Sequence, residues 1–224
     1  MPTAMSRRST FRSALLLLAS ALVWDSGSAW AQDTQEDLGQ RLYAAAQICD
    51  LETVRSTVAQ GANVNYLGQT LSGAAQTPLQ AAIVGLSCFE EGSQVPVVEF
   101  LLGHHAAIDD PVAGSALQAA LTARRDYGQG TDQIRVVQML LDRGADVKAR
   151  VRLSDGSTST LLHTAVFFNA IESIKLLIDR GIDVNEMDSR GETALASLND
   201  SDAVLLDSEK KKELARILKK AGAR

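Results

Sequence analysis

Between residues 160 and 185 the chain reads TLLHTAVFFNAIESIKLLIDRGIDVN, and no other stretch limits the fold as strongly. Thr160 offers the hydroxyl of a helix N-cap, and Leu162, Ala165 and Val166 fall on one helical face, small where a neighbouring backbone must come close. After a turn near Asn169, a second helix follows. Its apolar stripe is Ile171, Ile174, Leu177 and Ile178, with Glu172 and Lys175 turned to water. Gly181 ends it, because glycine takes the left-handed conformation without a side-chain clash. The chain then leaves extended through Ile182, Val184 and Asn185. Two short antiparallel helices cannot bury both apolar faces alone, so a unit of this kind requires copies stacked on either side.

Looser copies are present. The closing phrase recurs as Gly61-Ala62-Asn63-Val64-Asn65, Gly144-Ala145-Asp146-Val147 and Gly181-Ile182-Asp183-Val184-Asn185, each after an apolar helical stripe. The opening phrase is kept as Thr77-Pro78-Leu79 in one copy and as Leu162-His163 in another. In register, these phrases resemble the ankyrin repeat, and the resemblance covers residues 40–224. It implies an all-α ankyrin solenoid of about five helix-turn-helix units, caps included, with short β-hairpin fingers. The units fall at residues 40–65, 77–109, 115–148, 160–185 and 191–224.

Residues 1–31 are a separate element. Arg7, Arg8 and Arg12 precede an apolar run from Ala14 to Val23, and Ala29-Trp30-Ala31 supplies a small-x-small cleavage site, the pattern of a secretory signal peptide. The run ends at Asp25, short of the about 20 residues a membrane span needs. Cleavage near Ala31 predicts a periplasmic or secreted protein with a polar leader at residues 32–39. It leaves 19 Lys+Arg against 26 Asp+Glu, a formal charge of −7. Residues 209–224 hold seven of those bases and two of the acids, so the tail is basic and the body acidic. An acidic body is a poor nucleic-acid binder, since that affinity rests on phosphate neutralisation. The Lys210-Lys211-Lys212 cluster reads as the solvated face of a terminal capping helix, with no membrane contact expected.

The copies differ in their connections. Residues 66–76 predict an extended hairpin, and residues 151–160 another around Asp155-Gly156. Residues 87–93, 125–132 and 199–211 are insertions between the two helices of their units, where loop closure is tolerated and function often resides. In the first unit, Ser56 and Thr57 stand where leucines are expected and predict a more polar outer face. His105 takes the place of the closing glycine of the second unit.

Candidate chemistry is sparse. Cys49 and Cys88 are the only cysteines, and the repeat register puts them at one edge of adjacent units, so in an oxidising compartment they predict a disulfide. His104, His105 and His163 lack the convergence a metal site needs, and no catalytic or cofactor motif is present. Asp200, Asp202 and Asp207 lack the glycine and closing glutamate of a calcium loop. No cofactor, metal or catalytic residue is therefore expected. Aromatics stand out instead. Phe167 and Phe168 occupy first-helix positions that resemble the family's variable, partner-facing pair, and Phe89 and Tyr127 lie in insertions at the same end. With Tyr66, Leu67 and Arg152 on the fingers, they form the candidate binding surface of a monomer for a protein partner. The resemblance to exported bacterial ankyrin proteins implies two jobs, an immunity protein that neutralises a toxin or an accessory to an envelope or oxidative-stress enzyme. Two alternatives stay open: an envelope-associated enzyme using acids of the long connections, and a protein that binds peptidoglycan or lipid through its lysine-rich tail.

Overall fold

Thr160 begins the clearest unit as expected, its hydroxyl accepting from the His163 N–H at 3.3 Å and its carbonyl serving the Thr164 hydroxyl at 3.2 Å. The computed structural model describes residues 34–85, 94–123, 131–153, 155–199 and 208–224. Its helices are α1 (Gln35–Gln47), α2 (Leu51–Ala59), α3 (Pro78–Val84), α4 (Gln94–Gly103), α5 (Ala116–Thr122), α6 (Thr131–Asp142), α7 (Leu161–Phe167), α8 (Ile171–Asp179) and α9 (Ser208–Lys220). A 3-10 turn covers Ala196–Asn199. Three two-stranded antiparallel hairpins lie between units: β1 (Gly68–Gln69) with β2 (Ala75–Gln76), β3 (Asp109–Asp110) with β4 (Gly114–Ser115), and β5 (Arg150–Arg152) with β6 (Thr158–Thr160).

The helices stack by kind. α1 packs on α3, α3 on α5 and α5 on α7, while α2, α4, α6 and α8 form a second row in the same order. Each pair alone would leave a greasy side in water, and the stacking removes it: Leu42, Leu79, Leu117 and Leu162, one per first helix, are all buried. This helix-rich stack with small hairpins is compatible with an ankyrin-like fold.

The first helices close in two ways. Where no insertion intervenes, a non-glycine residue takes the left-handed conformation, Cys49 at φ 54° and Asn169 at φ 54°, and its neighbours cap the helix through Asp50 N to Ala45 O and Ala170 N to Ala165 O. In the second and third units, where an insertion is expected between the helices, a glutamine near the start of the second helix reaches back instead: Gln94 donates to the Ile83 carbonyl at 2.7 Å, and Gln133 to that of Ala120. Either route satisfies a buried helix end.

Several expectations need correcting. The leader ends early, because Thr34 and Asp37 form a reciprocal capping box that starts α1 at Gln35. Thr57 is buried rather than part of a polar outer face, its hydroxyl returned to the Thr53 carbonyl at 2.6 Å. Helix α4 begins at Gln94, directly after the expected insertion, with Pro96 in a first turn whose N–H groups need no helical partner. α9 already starts at Ser208, and the first helix of the last unit is only the 3-10 turn.

Candidate partner-binding surface

One side chain in each of three units reaches the next hairpin. Tyr43 donates its hydroxyl to Gln76 Oε1 at 2.9 Å. Gln80 donates to the carbonyls of Ala113 at 3.1 Å and Gly114 at 2.9 Å. His163 Nε2 lies 2.9 Å from the Glu192 carbonyl, which can only accept, so this nitrogen carries the proton and neutral Nδ1 accepts from the Thr160 hydroxyl at 2.8 Å. Burial pushes the His163 imidazole below its ordinary range, against the pull of the Glu192 carbonyl and nearby Asp188. Asp188 is itself buried, which would raise it, but bonds from the Glu192 N–H and from the side chain and N–H of Arg190 outweigh that and leave it low.

Asparagines supply a second set of ties. Asn65 Oδ1 accepts from the Ala107 N–H at 2.7 Å, and Asn185 joins Gly222 O at 3.1 Å and the Arg224 N–H at 2.9 Å. The first two hairpins are thereby fixed to the first row of helices, so side chains at their tips stand on a rigid support.

A repeating unit with these ties has a counterpart. The ankyrin repeat family model matches residues 159–189. No curated protein matches the chain. The matched ankyrin repeat contains Thr160, His163, Phe167 and Phe168, and its relatives act typically as non-catalytic protein-interaction modules. The units before it stack in the same two rows.

The sequence-predicted site residues divide by place. Phe167 and Phe168 are 47% and 38% exposed, with ring centroids 5.1 Å apart in an edge-to-face arrangement, so neighbouring segments do not bury them. Leu67 and Arg152 are exposed on the first and third hairpins. Tyr66 is turned inward: its hydroxyl donates to Glu36 Oε1 at 2.6 Å and its ring lies over Gly39. That bond raises the phenol and holds the Glu36 carboxyl below its usual range. Phe89, Tyr127 and Cys88 lie outside the described residues. Cys49 is buried, with its sulfur 3.8 Å from the Ala82 carbonyl, and no described cysteine is a free thiol.

Five more apolar residues belong with this surface. Leu71, Val112, Leu153 and Met187 are exposed on four successive connections, and Ile48 stands at the helix-turn position that Phe168 occupies in its own unit. Their signal in the sequence was an apolar residue among turn formers, as in Leu71-Ser72-Gly73 and Asp110-Pro111-Val112. All the large hydrophobic side chains exposed among the described residues lie on the connections between units or at the helix-turn edge. Helices α3, α5 and α7 carry no Asp, Glu, Lys or Arg side chain. Among the described residues no group of three or more His, Cys, Asp or Glu is placed to hold a metal ion. No described helix is long and apolar enough to cross a membrane.

Proposed function

We propose that this chain is an exported protein-interaction module that grips a protein partner through its concave face, its fingers and the Phe167-Phe168 edge. The supporting observation is the confinement of exposed large hydrophobics, among the described residues, to the connections between units and the helix-turn edge. Scattered apolar residues need no explanation, but aligned ones on a rigid support are what a partner buries. The signal-like residues 1–31 direct the module to the periplasm or beyond, where Cys49 pairs with Cys88 and the protein acts as a monomer. Within that class it neutralises a toxin as an immunity protein or supports an envelope or oxidative-stress enzyme. An adjacent gene for a secreted effector favours the first job, and one for such an enzyme the second.

Affinity capture from periplasmic extract, with Phe167→Ala in parallel, tests the reading. The native protein should retain a partner that the variant loses. Identical capture by both would remove the aromatic edge from the interface.

A further inference from the structure

We propose, resting on the reading above, that the hairpin row takes a cationic amphipathic protein segment, with the partner's apolar side chains on the tips and its Lys or Arg groups on the acids between them. The apolar half of the match is Leu67, Leu71, Val112, Leu153 and Met187, all exposed on successive connections. The electrostatic half comes from the same segments. Residues 62–76 carry no charged side chain, and residues 106–115 carry only Asp109 and Asp110. Residues 145–160 set Asp146 and Asp155 against Lys148, Arg150 and Arg152, and residues 182–193 set four acids against Arg190.

The row is therefore apolar at one end and acidic overall. Its one cationic hairpin is partly neutralised, since Arg150 is 3.5 Å from Glu186 and also donates to the Met187 carbonyl at 2.8 Å. The helices α3, α5 and α7 carry no Asp, Glu, Lys or Arg, and the one imidazole among them, His163, is buried and held below its ordinary range. An anionic segment would meet like charge on the second and fourth connections, whereas a cationic one gains attraction there and loses little solvation beside the uncharged helices. Because Asp109, Asp146, Asp155 and Asp183 are exposed, attraction governs encounter rate and salt dependence, and the apolar residues govern dwell time.

Binding of three synthetic peptides to the purified protein, followed by fluorescence anisotropy at low and high salt, tests the inference. They are a leucine-lysine amphipathic helix, its leucine-glutamate counterpart, and a leucine-lysine peptide of the same composition in non-amphipathic order. The first should bind best and weaken with salt. Replacing the tips together by Leu71→Ser, Val112→Ser and Met187→Ser should weaken it roughly tenfold or more, with an unchanged circular dichroism melt confirming the fold. Asp109→Lys, at an exposed carboxylate, should slow association. Preference for the glutamate peptide, equal binding of the non-amphipathic peptide, or indifference to the tip substitutions overturns the inference, as does absence of binding by all three. A protein that dimerises on sedimentation by offering its lysine-rich α9 to a second copy's hairpins also overturns it. Capture of a periplasmic partner sensitive to Phe167→Ala would survive each of these results, so the two readings fail separately.

Discussion

Gly39 and Gly68 matter because tyrosine rings occupy the space where their side chains would be. A Cβ on Gly39 would come within 2.2 Å of the Tyr66 ring, and one on Gly68 within 2.6 Å of Tyr43. Gly39→Ala and Gly68→Ala should each destabilise the protein by about 1–3 kcal/mol in urea unfolding, through displaced rings. Tyr66→Phe should lose less, since it keeps the ring over Gly39. At His163 the expectation concerns pH. The folded-state imidazole is held below its ordinary value of 6.5, so the unfolded chain binds the proton more readily. Its contribution to stability is complete above pH 6.5 and is lost as pH falls through the lower, folded-state value. His163→Gln should flatten this dependence in urea titrations between pH 5 and pH 7, for Gln80 performs the same bridging in the second unit without titrating. A variant with an unchanged pH slope would place the effect elsewhere.

At the scale of elements, the closures of the first helices make distinct predictions. Thr160→Ala removes an N-cap oxygen and should cost about 1 kcal/mol, seen as a lower melting temperature. Asn169 is left-handed at φ 54°, so Asn169→Gly should be tolerated and Asn169→Val should destabilise, because a β-branched residue resists that conformation. Cys49 has the same conformation at φ 54°, in a position where cysteine has no local advantage over glycine. A bridge to Cys88 would supply the reason. Thiol titration of denatured, unreduced protein should find no reactive groups, and two would dismiss the bridge. The last unit hangs on Asn185, whose side chain joins both Gly222 and Arg224. In Asn185→Ala, amides of α9 should exchange hydrogen faster while those of α3 and α5 stay protected.

For the whole molecule, stability resides in neighbour-to-neighbour burial, and damage in the middle of the stack should matter more than damage at an end. Leu117→Ala, at a fully buried position of α5 between α3 and α7, should cost about 2–5 kcal/mol, whereas Leu67→Ala on an exposed connection should change stability little. The proposed export has its own test at this scale: mass spectrometry of the protein recovered from periplasmic extract should place its first residue at or near Gln32. Read alone, the amino-acid order determined the helix pairs, their closing glycines and two of the three hairpins, because capping, periodicity of 3.6 and turn chemistry are local and each leaves its residue type behind. It also marked Phe167 and Phe168 as an edge, through their place in a repeated register. What only the tertiary structure decided were relations between segments: Tyr66 turned inward onto Gly39, Thr57 buried in the stack, Gln94 and Gln133 reaching back to the first helices, and apolar residues left exposed on successive connections. These depend on contacts between segments distant in sequence, and a side chain's exposure is set by what packs over it rather than by its neighbours in the chain.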